Sequence, residues 1–294
     1  MAYLALGLGL ATIGFSAIFI RFAGVPGTVA AFYRMAIGLV ALTPAFILSL
    51  RDQRSMPIQE LRIAFLGGLL FAFDLSLWAT GVMMSGATNP TLLANTAPMW
   101  VGIGALLIYK EKLPIFFWIG LVIAMAGAVL VLGSDALQAM KFGLGTFLGL
   151  LAGIFYGAYF LVTQRGRQTL SALAYFWFSA LCATIVLLII NLVLRQPLLG
   201  YSSQAYLSLL GLGILSQGFG WLAINYAQGH LPATLVAPTL LGQPVVTALL
   251  AGPLLGERLT WLEAFGGVTV LVGVYIVHHS RINAHQRTGR GKNP

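Results

Sequence analysis

Long apolar stretches separated by short polar or basic turns cover almost the whole chain. They fall at 3–21, 28–50, 63–84, 89–109, 114–132, 143–163, 171–194, 204–227, 232–252 and 261–279. A helix rising about 1.5 Å per residue needs about 20 residues to cross a hydrocarbon core of about 30 Å, and each stretch is near that length. Membrane β-strands would be about half as long and would alternate polar with apolar positions, which these stretches do not. The pattern therefore predicts an all-α integral membrane protein of about ten transmembrane helices. The widest gap is the 51–62 loop, which leaves no room for a soluble domain. No basic segment precedes the first stretch and no small-residue cleavage site follows it, so it is expected to be a true span.

A second pattern lies on top of the first. Pro98, the run Lys110-Glu111-Lys112-Leu113, Gly120 and Gly127 are matched by Pro244, Gly256-Glu257-Arg258-Leu259, Gly266 and Gly273, each 146 residues after its counterpart. Two fused homologous halves of five spans each are the reading, with the second half entering the membrane upside down because five is odd. The expected divisions are 1–137 for the first five-helix repeat, 138–280 for the second, and 281–294 for a disordered, basic cytoplasmic tail, the halves meeting near Asp135–Phe142.

Charge then fixes an expected orientation. The chain is 59% hydrophobic and 8% charged, with a formal net charge of +9. With the N-terminus cytoplasmic, 11 of the 16 Lys and Arg residues fall on inside loops and the tail, which favours both termini inside. The excess positive charge is thus assigned to orientation and lipid contact, not to nucleic acid. Cys182 is the only cysteine, which excludes a disulfide within the chain.

Ten spans in an inverted repeat, each half closing with Pro…Glu-Lys/Arg-Leu…Gly…Gly, resemble the drug/metabolite transporter superfamily. The bacterial EamA-type branch is the nearest likeness, and the run Phe32-Tyr33-Arg34-Met35-Ala36 is similar to its phenylalanine–arginine signature. The resemblance implies a secondary transporter of the bacterial inner membrane, in character most like aromatic amino-acid exporters. It covers Met1 to about Ser280.

Candidate chemistry sits at mid-depth. Asp74 is the one carboxylate near the middle of a span, where a charge costs about 2.5–3.5 kcal/mol on insertion scales and should face a wet cavity or a partner. Trp78 lies one turn on, and Gln217, Trp221 and Asn225 form a like stripe in the eighth span. Asp74 and Trp78 lie 143 residues before Gln217 and Trp221, so a polar/Trp pair recurs at the repeat-equivalent place. The two stripes are expected to face each other where substrates of inverted-repeat transporters bind. Asn95 before Pro98, Gln243 before Pro244 (with Thr239 and Thr247 at helical spacing), Tyr156 and Tyr159 complete the candidate substrate-binding set. The bland alternatives are interfacial tryptophans, interhelical amides and an ordinary aromatic pair, with Asn225 already at the cytoplasmic interface. Arg34, about two turns inside the outer end of the second span, is expected to snorkel to that interface, contact with a substrate carboxylate being the other reading. Glu111 and Glu257 are expected to hold their turns through the adjacent Lys112 and Arg258. Gly145, Gly149, Gly153 and Gly157 mark a side of close helix approach, static or sliding.

No phosphate-binding loop, nucleophile elbow or metal-ligand spacing occurs around His278, His279 and His285, so neither an enzyme, a cofactor nor a metal is predicted. Small multidrug members of the superfamily use a carboxylate in the first helix of their unit, and neither the first span nor the sixth has one. The expected function is export of small metabolites, neutral and aromatic amino acids first, by alternating access, with a multidrug or other metabolite exporter as the alternative. The expected partners are a small-molecule substrate and membrane lipid, with oligomeric state left open.

Overall fold

The computed structural model describes residues 1–50, 56–85, 88–132, 143–256 and 258–290, the side chains of Thr88 and of 282–290 excepted. Eight helices among the described residues are long and apolar enough to cross a membrane: Ala2–Ala23, Gly27–Ser49, Ile58–Ser85, Leu144–Gly166, Ala172–Val193, Ser203–Gln228, Ala233–Leu255 and Trp261–Arg281. Ile115–Val131 is a shorter one, and the fourth crossing is made of two pieces, Thr88–Ala94 and Ala97–Leu107. The described residues thus form an all-helical bundle of ten spans.

Polar and helix-breaking residues decide where the spans are interrupted. The first helix stops at Gly14 and restarts at Ser16, and at the break Thr12 O and Ile13 O accept backbone N–H groups of the turn. Three side chains add bonds to the carbonyls there: Ser216 Oγ donates to Thr12 O at 3.1 Å, Gln243 Nε2 to Ile13 O at 3.3 Å and Thr247 Oγ1 to Gly14 O at 2.8 Å. Pro98 and Pro244 each stand at the start of a resumed helix, after the break at Asn95-Thr96 in one half and after the 3₁₀ turn Leu240–Gly242 in the other. A missing N–H costs nothing at such a position.

The repeat is visible as paired contacts. The fifth span crosses the tenth so that a Cβ on Gly120 would meet Gly273 O at 2.8 Å, while one on Gly127 would meet Gly266 O at 2.7 Å. Each glycine of the sequence motif therefore faces the counterpart of the other, as an antiparallel pair about a two-fold axis requires. Gly14 approaches Val246 as Gly157 approaches Trp100. Lys110 and Gly256, at equivalent places, both have left-handed backbone, φ 52° and 70°. Glycine adopts that conformation freely, whereas lysine bears a steric cost. The second span packs on the seventh, the sixth on the third and fourth, and the first on the eighth and ninth. Of the glycines on the sixth span, Gly145 lies against Gly81 and Ser85, Gly149 against Pro90 and Gly153 against Leu93 and Thr96.

Tyr3 meets His278 at a ring separation of 5.8 Å, so the start of the first span and the end of the tenth share a face, here the terminal face; the opposite one is the distal face. The tenth helix runs on to Arg290, where the sequence predicts a disordered tail from residue 281. Nothing between Ser280 and Thr288 breaks a helix, the next glycine being Gly289. The expected boundary at Asp135–Phe142, and Glu257, lie outside the described residues.

Candidate functional site

A cavity of about 390 Å³ lies between the halves. Its deep end is formed by Asp74, Arg34, Phe71, Tyr156 and Trp221, and its sides by Ile13, Ser16 and Ala17 of the first span, Trp78, Thr91, Asn95 and Gln243. It continues past Thr247, Ala251 and Val131 to Glu263. Val131 ends the fifth span and Glu263 begins the tenth, so the cavity opens toward the distal face.

Asp74 is 5% exposed and Arg34 8%, and both line the cavity. Arg34 Nε donates to Gln217 Oε1 at 2.9 Å. Trp78 is half-buried, and its Nε1 donates to Thr91 Oγ1 at 2.9 Å, which fixes the indole along the distal wall. Asn95 Nδ2, Ser16 Oγ and Gln217 Nε2 are buried without a hydrogen-bond partner. Two of these residues, Asn95 and Ser16, line the cavity, where water or a bound solute can supply the missing bonds.

The terminal side is sealed in two layers. Five rings come first: Phe71 stacks on Tyr159 at 4.5 Å, Trp221 lies 4.7 Å from Phe71 and 6.0 Å from Tyr156, and Tyr156 lies 4.7 Å from Phe160. A polar lattice follows beneath them. Asn225 Nδ2 donates to Tyr159 Oη at 3.3 Å, Gln228 Nε2 to Phe160 O at 3.2 Å, and Arg167 Nε to Asn225 O at 2.8 Å. At the face itself Arg281 and Glu111 form an ion pair at 2.6 Å, with Thr234 Oγ1 at 3.4 Å from the same carboxylate oxygen. That contact ties the turn after the fourth span to the start of the ninth and the end of the tenth.

The sequence matches the EamA-like transporter family over residues 1–133 and 143–278, which are the two structural halves. The chain belongs to that family. It is 27% identical over 247 residues to the uncharacterized transporter YdfC of Bacillus subtilis, covering 83% of this chain and 79% of the relative. It is 26% identical over 220 residues to the riboflavin transporter of Vibrio cholerae, covering 73% and 70%. A crystal structure of a protein at 15% identity superposes with a TM-score of 0.78, covering 94% of this chain and 96% of the other, which speaks for the fold alone. The chain is thus a multi-pass membrane transporter.

In this EamA-family chain the candidate residues divide. Asp74, Trp78, Asn95, Tyr156, Trp221 and Gln243 line one cavity. Tyr159 does not: it is 1% exposed, stacked behind Phe71. Gln217 is fully buried and reaches the cavity only through Arg34. It lies in a π-helical stretch, Leu212–Trp221, whereas Asp74 lies in α-helix, so the two equivalent residues do not present alike. Arg34 itself corrects an expectation, since it turns inward to Gln217 and does not snorkel. A partner 183 residues away leaves no local signal. Asn225 is fully buried, not interfacial. The Glu111 carboxylate bonds Arg281 where Lys112 was expected. Gln243 also has a structural task, capping Ile13 O.

Proposed function

We propose that this EamA-family transporter exports small neutral amino acids, aromatic ones included, across the bacterial inner membrane by alternating access, with both termini cytoplasmic. The observation that carries the reading is the cavity: closed by aromatic rings on one side, open on the other, and holding Asp74 among Trp78, Tyr156, Phe71 and Trp221. Its volume of about 390 Å³ is at the low end for ligand pockets and suits one small metabolite. Rings offer an apolar wall to a side chain, and the carboxylate offers a counter-ion to an ammonium group. With the terminal face cytoplasmic, as the lysine and arginine distribution favours, the cavity opens outward.

A neutral solute gains nothing from membrane potential, whereas each unit charge moved is worth about 2.3 kcal/mol per 100 mV. Concentrative export therefore needs a coupled ion, and Asp74 is the mid-depth group able to carry a proton; without coupling the protein is a facilitator. The test is purified protein in liposomes offered neutral amino acids, quaternary ammonium dyes and riboflavin, with and without a pH gradient. Exchange of several amino acids is expected. Movement of dyes alone, with no competition by amino acids, replaces this reading with the multidrug one. A second reading, a flat heteroaromatic cargo, is favoured by the relative named as a riboflavin transporter together with the ring-lined cavity; riboflavin moving in place of amino acids would establish it.

A further inference from the structure

We infer that Arg34 is the anchor for a carboxylate on the transported solute, and that Gln217 is the residue that positions it. This rests on reading the cavity as the transport site. A guanidinium carries five N–H donors in a planar fork. Here one of them, on Nε, is used by Gln217 Oε1 at 2.9 Å, and no other hydrogen bond or ion pair engages the group among the described residues. Two nitrogens of a buried cation are left to the cavity that Arg34 lines.

Asp74 lines the same cavity but does not complete that fork, for no ion pair within 4 Å joins it to Arg34. The site thus holds a guanidinium and a carboxyl group on one cavity, both nearly excluded from solvent and with no ion pair between them. Desolvated charges of this kind are costly until something pairs with them. A solute bearing both a carboxylate and an ammonium completes the two at once. The fork geometry selects carboxylate for Arg34, because two parallel N–H donors match its two oxygens.

The seat of Gln217 is built to hold this arrangement. Its Cβ and Cγ lie where any side chain on Gly38 would have to go, at 3.3 and 3.0 Å from that residue's would-be Cβ. Gly38 and Arg34 are one turn apart on the second span, so the glycine admits the amide that the arginine then bonds. Gln217 touches no solute in this scheme. It fixes the direction in which the guanidinium points.

The test uses purified full-length protein in detergent and the tryptophan fluorescence of the folded chain. The probes are phenylalanine, 3-phenylpropionate (carboxylate only) and phenethylamine (ammonium only). Phenylalanine and 3-phenylpropionate are expected to bind, and phenethylamine to bind about tenfold more weakly than phenylalanine or worse, the scale of one charge-assisted hydrogen bond. Arg34→Lys keeps the charge and loses the fork. Gln217→Glu keeps the shape but pairs the guanidinium internally. Both should weaken the two carboxylates about tenfold and leave phenethylamine unchanged, a selectivity that general loosening of the fold would not produce. Equal binding of the amine, absence of binding by either carboxylate, or unaltered carboxylate affinity in Gln217→Glu overturns the anchor. If 3-phenylpropionate binds through Arg34 while phenylalanine is not moved in liposomes, the anchor stands and amino-acid export falls. If phenylalanine is moved but Arg34→Lys does not affect its binding, the reverse holds.

Discussion

The two ends of the central axis are built on the same backbone repeat and filled with different side chains. On the terminal side the sixth span presents Tyr156, Tyr159 and Phe160 to Trp221. The first span, 143 residues earlier, has Ile13, Ser16 and Ala17 at the matching places beside Trp78. Three large residues close one end, and an isoleucine, a serine and an alanine leave the other open. The cavity exists on the distal side because the aromatic volume is missing there. The terminal end also has a polar closure, the ion pair of Glu111 with Arg281. Under the proposed alternating access, an inverted repeat would supply two interconvertible backbone arrangements, and these side-chain differences would weight them unequally in favour of the closed terminal side.

Transplanting the closure to the distal end should have the largest effect. Ser16→Tyr with Ala17→Phe should fill the distal cavity, and transport in liposomes should fall by an order of magnitude or more, since large groups forced into a limited space do not fit. Wild-type rates in that variant would show that the cavity is not the path. Next is Trp221→Ala. Loss of a buried tryptophan removes about 3–5 kcal/mol of packing, so a cysteine at Asn95 should become reactive from the terminal face. Unchanged sidedness would make Trp221 a wall of the site and not its closure.

A smaller effect is expected of Glu111→Gln, which leaves Arg281 without its counter-ion. Labelling from the terminal face should rise severalfold and return toward wild type when Glu111→Arg is combined with Arg281→Glu. A rise that the exchange does not reverse would point to a local folding fault. The smallest is Thr91→Val. It removes one hydrogen bond from the Trp78 indole, worth about 0.5–1.5 kcal/mol, and substrate affinity should change less than about tenfold without altering sidedness.

Much of this was legible in the chain. The motif glycines 120, 127, 266 and 273 mark the crossing of the fifth and tenth spans because close backbone approach demands glycine wherever it occurs. Asp74 and Trp78 read as cavity residues because a mid-membrane carboxylate has few other places to be. What could not be read depends on partners far apart in sequence. Arg34 looks like an interfacial arginine until Gln217 is seen beside it, and Glu111 sits next to Lys112 in sequence but next to Arg281 in space. Tyr156 and Tyr159 lie three residues apart on one helix face, yet a small difference in direction puts one in the cavity and the other behind Phe71. Nor does helical periodicity reveal the π-helical winding that turns Gln217 toward Arg34.

The most direct test of the unequal ends is the sidedness of a cavity cysteine. Asn95→Cys, in a Cys182→Ser background, is exposed to a membrane-impermeant thiol reagent from each face in turn. Lys112→Cys and Ser203→Cys mark the terminal and distal faces. Without substrate, Asn95→Cys should label from the Ser203 side at least about tenfold faster than from the Lys112 side, as a terminal closure about 1.4 kcal/mol or more firmer than the distal one requires. Equal rates from the two faces, or faster labelling from the Lys112 side, would contradict the account.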